Sequence, residues 1–234
     1  MKRNSLRLVI LGVAIGVASL STPVQAADPA PTPLARLQAG NARFVADAPQ
    51  PAPLGAPRRQ ELAKGQHPFA IVLSCADSRV PPEHVFNVGL GDLFVVRTAG
   101  EVTDRAVLAS VEYAAEHLGA SLLVVMGHEA CGAVKAAAES HGASLGPNLD
   151  YLVQAIAPAV KRTKGEQDQI RAAIFANVEQ VINDVLAKSA ILRERAEKGE
   201  LQMVGAYYEL ASGKVSFSQP VAATALTVAE HGRK

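Results

Sequence analysis

Two short runs hold the side chains of this protein best suited to chemistry: Cys75-Ala76-Asp77-Ser78-Arg79 and His128-Glu129-Ala130-Cys131. They contain both cysteines of the chain and together offer two sulfurs, one imidazole and a carboxylate. Zinc takes these donors in a tetrahedron. Cys75 and Asp77 are two residues apart, so in extended backbone their side chains point to one side. His128 and Cys131 are three apart, the neighbour spacing of the first turn of a helix. With Cys75, His128 and Cys131 as ligands, the fourth position falls to water or to Asp77. Water there makes a hydrating or hydrolytic centre, whereas Asp77 makes a closed, structural or inactive one. Arg79 bears on that choice, because a guanidinium grips a carboxylate in bidentate fashion, keeps it ionised and restrains it from the metal. An ionised Asp77 accepts hydrogen bonds but cannot donate them, and would orient a zinc-bound hydroxide toward an electrophile. The plainer alternatives are an ordinary buried ion pair for Asp77 and Arg79, and a disulfide between Cys75 and Cys131 in an oxidising compartment.

The elements that position these runs follow from hydrophobic patterning. Phe69 to Leu73, Leu93 to Val96 and Leu122 to Met126 are β-type apolar runs, and Arg105 to Leu118 has helical periodicity. Strand and helix alternate, which predicts an α/β fold with a mainly parallel sheet. Each reactive run stands directly after a strand, where parallel sheets gather their ligands. Leu34 to Asp47 reads as an amphipathic N-terminal helical arm, closed by the proline cluster Pro49 to Pro57 and suited to packing on a partner subunit or on its own domain. A further helical region runs from Gln167 to about Lys198, interrupted around Ala187 to Ala190. Met203 to Glu209 and Lys214 to Ser218 flank a hairpin signal. Gly89 and Gly91 precede a strand rather than a helix and are read as a turn, not a dinucleotide loop.

Residues 1–26 have the form of a secretory signal peptide: Lys2, Arg3 and Arg7, then the apolar stretch Leu8 to Leu20, then Val24-Gln25-Ala26 as cleavage site. Residues 27–33 are an extended lead-in, and residues 34–234 make a single domain. The stretch is too short to span a membrane. Removing three basic residues and no acidic ones takes the net charge from +1 to −2, a balance that excludes a nucleic-acid partner needing a basic face. Tryptophan is absent and aromatics are 4% of the chain, so the core is expected to be aliphatic.

The runs Cys75-Ala76-Asp77-Ser78-Arg79-Val80 and Gly127-His128-Glu129-Ala130-Cys131-Gly132, with the intervening Gly91-Asp92-Leu93-Phe94-Val95-Val96-Arg97, resemble the signature of the β-class carbonic anhydrases. The similarity extends from about Leu34 to Ser218. It implies a four- or five-stranded, mainly parallel sheet flanked by helices, and a homodimer or dimer-based tetramer. It carries Zn2+ to Cys75, His128 and Cys131 and the orienting dyad to Asp77 and Arg79. Gln66 matches a glutamine that in the plant-like subgroup donates a hydrogen bond to substrate across the dimer interface. Phe94 and Tyr113 match aromatic positions lining that subgroup's pocket. Another subgroup has a tryptophan three residues before the first cysteine, within an inhibitory bicarbonate pocket. Val72 stands there in this chain, so no such regulation is expected. The run Arg97-Thr98-Ala99-Gly100-Glu101 departs from the common Arg-Asn-X-Gly-Asn, which touches the pocket or dimer contact but removes no proposed ligand.

The implied reaction is reversible hydration of carbon dioxide to bicarbonate and a proton by zinc-bound hydroxide, in a periplasmic enzyme. Two thiolates cancel the formal charge of zinc, so bound water is less acidic than in a three-histidine site, where its pKa is about 7. Activity should therefore rise toward alkaline pH. His67 and His84 lie near the first run but are read as surface or capping residues rather than proton shuttles. The rivals are a carbon disulfide or carbonyl sulfide hydrolase on the same scaffold and a non-catalytic protein with a closed zinc site or a disulfide. A thiol redox protein would need a Cys-X-X-Cys pair, which the chain lacks.

Overall fold

The three apolar runs become adjacent strands of one sheet in a computed structural model, which describes residues 30–221. The expected signal peptide of residues 1–26 and the first residues of the expected lead-in lie outside the described residues. The elements in chain order are α1 (Pro33–Val45), α2 (Ala56–Leu62), β1 (Ala70–Cys75), α3 (Pro82–Val85), β2 (Leu93–Thr98), a 3-10 turn (Ala99–Glu101) and α4 (Arg105–Glu116). There follow β3 (Leu122–His128), α5 (Gly132–Glu139), α6 (Pro147–Arg162), α7 (Gln169–Lys188), α8 (Ala190–Glu197), β4 (Gln202–Tyr208) and β5 (Val215–Phe217). The sheet order is β2-β1-β3-β4-β5, parallel except for the antiparallel β4–β5 hairpin. This is the mainly parallel, helix-flanked α/β architecture expected from the alternation.

Every residue of β1 and β3 is buried, because helices cover both faces of the sheet and each strand needs apolar side chains in both directions. Val72, Leu122, Val124 and Met126 pack with Leu37 of α1, Val134 of α5 and Ile156 of α6. Their neighbours Ile71, Leu73, Leu123 and Val125 turn to the other face, against Val107 and Val111 of α4, Val181, Ile182 and Val185 of α7 and Leu192 of α8. The period of two thus divides one apolar run between two cores.

The expected interruption near Ala187 is a change of helix at Ser189, which ends α7 and accepts the Leu192 N–H as cap of α8. Four helices, α2, α3, α5 and α6, were not marked out by the patterning. The short α5 is rich in alanine, and α6 starts on Pro147 and carries Pro158 within it, two residues that sequence patterns read as breaks. The arm begins one residue earlier than expected, at Pro33, capped by the Thr32 hydroxyl. Helix α2 starts inside the expected proline cluster, with Pro57 in its first turn.

A close approach of α7 to the sheet depends on Gly127. A Cβ there would lie 2.8 Å from Val178 Cγ2 and 2.9 Å from Ile174 Cγ2, too near for either side chain to stay in place. Gly127→Ala is expected to cost about 1–3 kcal/mol by overpacking, read as a lower urea midpoint with an unchanged slope.

Candidate metal centre

Cys75 is the last residue of β1, His128 the last of β3, and Cys131 the N-cap of α5. The chain leaves β1 toward β2 on one side and returns to β3 on the other, so these neighbouring strand ends form a switch point where loops diverge and a ligand site opens. One donor atom from each of Cys75, His128 and Cys131 lies within 4.8 Å of the others, and all three residues are buried. The spacing of His128 and Cys131 therefore acts differently from the expected helical turn. His128 is still in the strand, and the chain turns through Ala130, with φ 52°, before Cys131 caps the helix. Glu129 pins that turn to the end of β4 and the residues after it: its N–H donates to the Tyr208 carbonyl at 2.8 Å, and its carboxylate accepts the Leu210 N–H at 2.9 Å.

The donor chemistry suits a dication. The Nδ1 of His128 lies 2.9 Å from the Glu129 carbonyl, which can only accept, so Nδ1 carries the hydrogen and the neutral ring keeps its lone pair on Nε2. Nε2 is buried and has no hydrogen-bond partner, which is the state of a nitrogen made to bind a metal. The two sulfurs stand 4.0 Å apart and both cysteines are free, so the disulfide alternative does not hold. Cys75 is held strongly toward the thiolate, first by the hydrogen bond from Cys131 and then, against the cost of burial, by His128 and the Gly100 N–H. Cys131 is pushed up, by the bond that its thiol makes to Cys75 and by burial. A metal dication held by both sulfurs would displace the proton of the Cys131 thiol. Burial opposes the charged form of His128, but the Cys75 thiolate, the Glu129 carbonyl and Asp77 outweigh it and raise its pKa.

Asp77 follows Cys75 beyond the strand, with Oδ2 3.9 Å from His128 Nε2. Arg79 holds it in the expected bidentate grip: Nε donates to Oδ1 at 2.9 Å and Nη2 to Oδ2 at 2.6 Å, while the Arg79 backbone N–H adds a third bond to Oδ1. This guanidinium keeps the carboxyl far below the ordinary carboxylate range, so Asp77 is ionised at neutral and alkaline pH. Arg97 supports the same loop, donating from Nε to the Cys75 carbonyl at 3.0 Å and from Nη2 to the Asp77 carbonyl. The signal for that role was a single charge inside the otherwise apolar β2 run.

Glu101 is fully buried behind the cluster. Desolvation first, and then the Cys75 charge, push its carboxyl up to about 8, against a hydrogen bond from Asn177. Asn177, midway along α7, was not singled out by the sequence. Gln66 is exposed in the loop before β1 and makes no side-chain hydrogen bond among the described residues. Phe94 and Tyr113 are brought together, with ring centroids 6.4 Å apart, on β2 and α4. Neither these three nor the exposed His67 and His84 belong to the donor cluster. Gly89 and Gly91 form a turn, closed by the Gly89 N–H on Asp92 Oδ2 at 2.7 Å.

A helix-flanked parallel sheet with a buried two-sulfur, one-nitrogen cluster at its switch point places the chain among the α/β metalloenzymes. Residues 70–215 match the family described as carbonic anhydrase. Carbonic anhydrase 2 of Mycobacterium tuberculosis is 43% identical over 183 residues, covering 76% of this chain and 87% of that relative. The carbonic anhydrase of Pseudomonas aeruginosa is 32% identical over 185 residues, covering 74% and 83%. Among solved structures, the Coccomyxa β-carbonic anhydrase in complex with acetazolamide matches with TM-score 0.65 and 26% identity, over 73% of this chain and 81% of that one. A tetrameric β-carbonic anhydrase of Sordaria macrospora matches with TM-score 0.63 and 26% identity, over 71% and 89%. The chain belongs to the carbonic anhydrase family, in its β class.

Proposed function

We propose that this protein is a zinc enzyme that reversibly hydrates carbon dioxide to bicarbonate and a proton, with Cys75, His128 and Cys131 as its metal ligands. The observation that carries this is the buried cluster itself: two sulfurs and an unpartnered imidazole nitrogen within 4.8 Å, beside a carboxylate already held by an arginine. Zinc bound there supplies the Lewis acidity that makes water nucleophilic near neutral pH. The chain's own residues do the rest. Asp77 Oδ2, acceptor only, holds the hydrogen of the attacking hydroxyl and leaves the oxygen lone pair to carbon dioxide. Arg79 fixes that carboxylate and restrains it from becoming a fourth ligand. In the reverse direction the same oxygen accepts the hydroxyl hydrogen of bicarbonate.

The enzyme works as a homodimer or a dimer-based tetramer, in which Gln66 reaches substrate in the partner's site and Phe94 and Tyr113 line the pocket, as in the plant-like subgroup. In support, β2 is an outer strand that is only half-buried along its whole length, and Tyr113 beside Phe94 is 48% exposed. Residues 1–26 export the protein to the periplasm. The charged start, apolar stretch and small-residue cleavage site support this, and among the described residues no helix is long and apolar enough to cross a membrane.

The test is stopped-flow hydration of carbon dioxide by protein cut at Ala27, with zinc measured in the same sample. About one zinc per chain and a rate that rises toward alkaline pH are expected. Zinc-replete protein that hydrates no carbon dioxide yet hydrolyses carbonyl sulfide or carbon disulfide would overturn the substrate, and a flat or acid-favouring profile would overturn the mechanism.

A further inference from the structure

The turn after β2 is strained, and a polar side chain from the far helix holds it. Gly100 and Glu101 are consecutive left-handed residues, with φ 65° and 46°. A non-glycine residue keeps such a conformation only where its surroundings over-determine it. On one side Ile156 Cδ1 and Ala133 Cβ press on Gly100, 2.7 and 3.0 Å from where a Cβ would stand. From the other side comes Asn177, a single amide among Ala173, Ile174, Ala176, Val178 and Val181 on the buried face of α7, itself 1% exposed. Its Nδ2 donates to the Gly100 carbonyl at 2.9 Å and to Glu101 Oε1 at 3.0 Å. Both partners accept at those atoms, so both amide hydrogens are used.

The held turn ends on the metal centre. The Gly100 N–H donates to Cys75 Sγ at 3.3 Å. Gly100 therefore has its carbonyl tied to α7 and its N–H tied to the sulfur, and the two restraints together set where that N–H points. A hydrogen bond to a metal thiolate draws charge from sulfur, weakens its donation to the metal and fixes its orientation.

We propose that Asn177 is a positioning residue of the metal centre, which with Glu101 as second arm clamps the Gly100 turn and so keeps its N–H on the Cys75 sulfur. The proposal rests on the zinc assignment above. Asn177 donates to Gly100 and Glu101 and to none of the three ligands, so its effect runs through that turn. Without the clamp the N–H leaves the sulfur, the thiolate donates more strongly and with less fixed geometry, and water at the centre becomes less acidic.

The experiment compares Asn177→Ala, Glu101→Gln and Val178→Ala with the wild type, each loaded with cobalt in place of zinc and, separately, with zinc. Asn177→Ala is expected to shift the thiolate-to-cobalt charge-transfer absorption to longer wavelength. Because the lost orientation of the ligand outweighs its stronger donation, zinc should weaken about 10- to 100-fold in chelator competition, and the midpoint of the hydration profile should move up by about 0.5–1 in pH. Glu101→Gln keeps an oxygen for Asn177 and should keep the cobalt absorption near its wild-type wavelength. Val178→Ala, which thins the same helix contact without touching the clamp, should lower stability alone. If Asn177→Ala does not fold, Asn177→Ser, too short to reach both acceptors, carries the same expectations. Wild-type absorption, affinity and midpoint in the folded Asn177 variant would overturn the clamp while the zinc assignment stands. Wild-type protein that shows no thiolate-to-cobalt absorption would overturn both.

Discussion

Cys131→Ser is expected to lose more than about a thousandfold in carbon dioxide hydration and to hold zinc at least about 100-fold more weakly. The size follows from what the sulfur does in the structure. It is buried, 4.0 Å from the other sulfur, and caps α5 through its backbone while its side chain faces the donor cluster. A serine hydroxyl keeps the backbone cap but does not ionise at neutral pH, so one of two anionic donors disappears. The remaining Cys75 and His128 are too few to hold a dication against a chelator. Folding should survive, because serine is smaller and the cluster lies at the strand ends rather than between the sheet faces. Zinc content, chelator competition and stopped flow on one preparation check this; a variant that keeps a full zinc and more than a tenth of the rate would remove Cys131 from the ligand set.

The second large effect is expected at Asp77, with the opposite signature in metal content. Asp77→Asn should lower hydration about 100- to 1000-fold, the size found when one preorganised hydrogen-bonding group is removed from a reacting centre. Zinc content should be unchanged. Asparagine has the same shape but carries an N–H2 where one carboxylate oxygen was, so either Arg79 or the attacking hydroxyl meets a donor in place of an acceptor. Arg79→Ala separates the two duties of the dyad. It leaves the carboxylate in place without the grip at 2.6 Å, free to cross the 3.9 Å to the His128 nitrogen's neighbourhood. Activity should fall while zinc binds as tightly as before or more so, the behaviour of a centre closed by a fourth protein ligand. Equal activity in Arg79→Ala and wild type would show that Asp77 needs no restraint.

The parts of this site that could be read from the sequence were those encoded by residue type at short range. Two cysteines, one histidine and an Asp-X-Arg run after apolar strands announced donors and dyad, because strand ends in parallel sheets are where such groups meet. The alternation of Ile71 and Leu73 with Val72 could not be assigned to two faces in advance, since a strand buried on both sides shows no polar period. The geometry between His128 and Cys131 also escaped, because spacing of three is compatible with a helical turn and with a strand, a left-handed Ala130 and a cap alike. Least visible were Arg97, Glu101 and Asn177. Asn177 meets Gly100 across 77 positions, and a buried amide in an apolar helix looks like an ordinary polar residue until the fold shows which carbonyl it serves.

Cys75 and Cys131 are 56 residues apart in sequence. They meet only because β1 and β3 lie side by side, with β2 and α4 between them in the chain already folded away. The unfolded polypeptide owns only a two-donor fragment, His128 with Cys131. An ion that binds the native site and barely binds the unfolded chain adds its whole affinity to native stability, about 4.1 kcal/mol at a thousand times its dissociation constant. The metal would then act as a late arrival in assembly, unable to template the sheet but able to lock it once β3 has been laid beside β1.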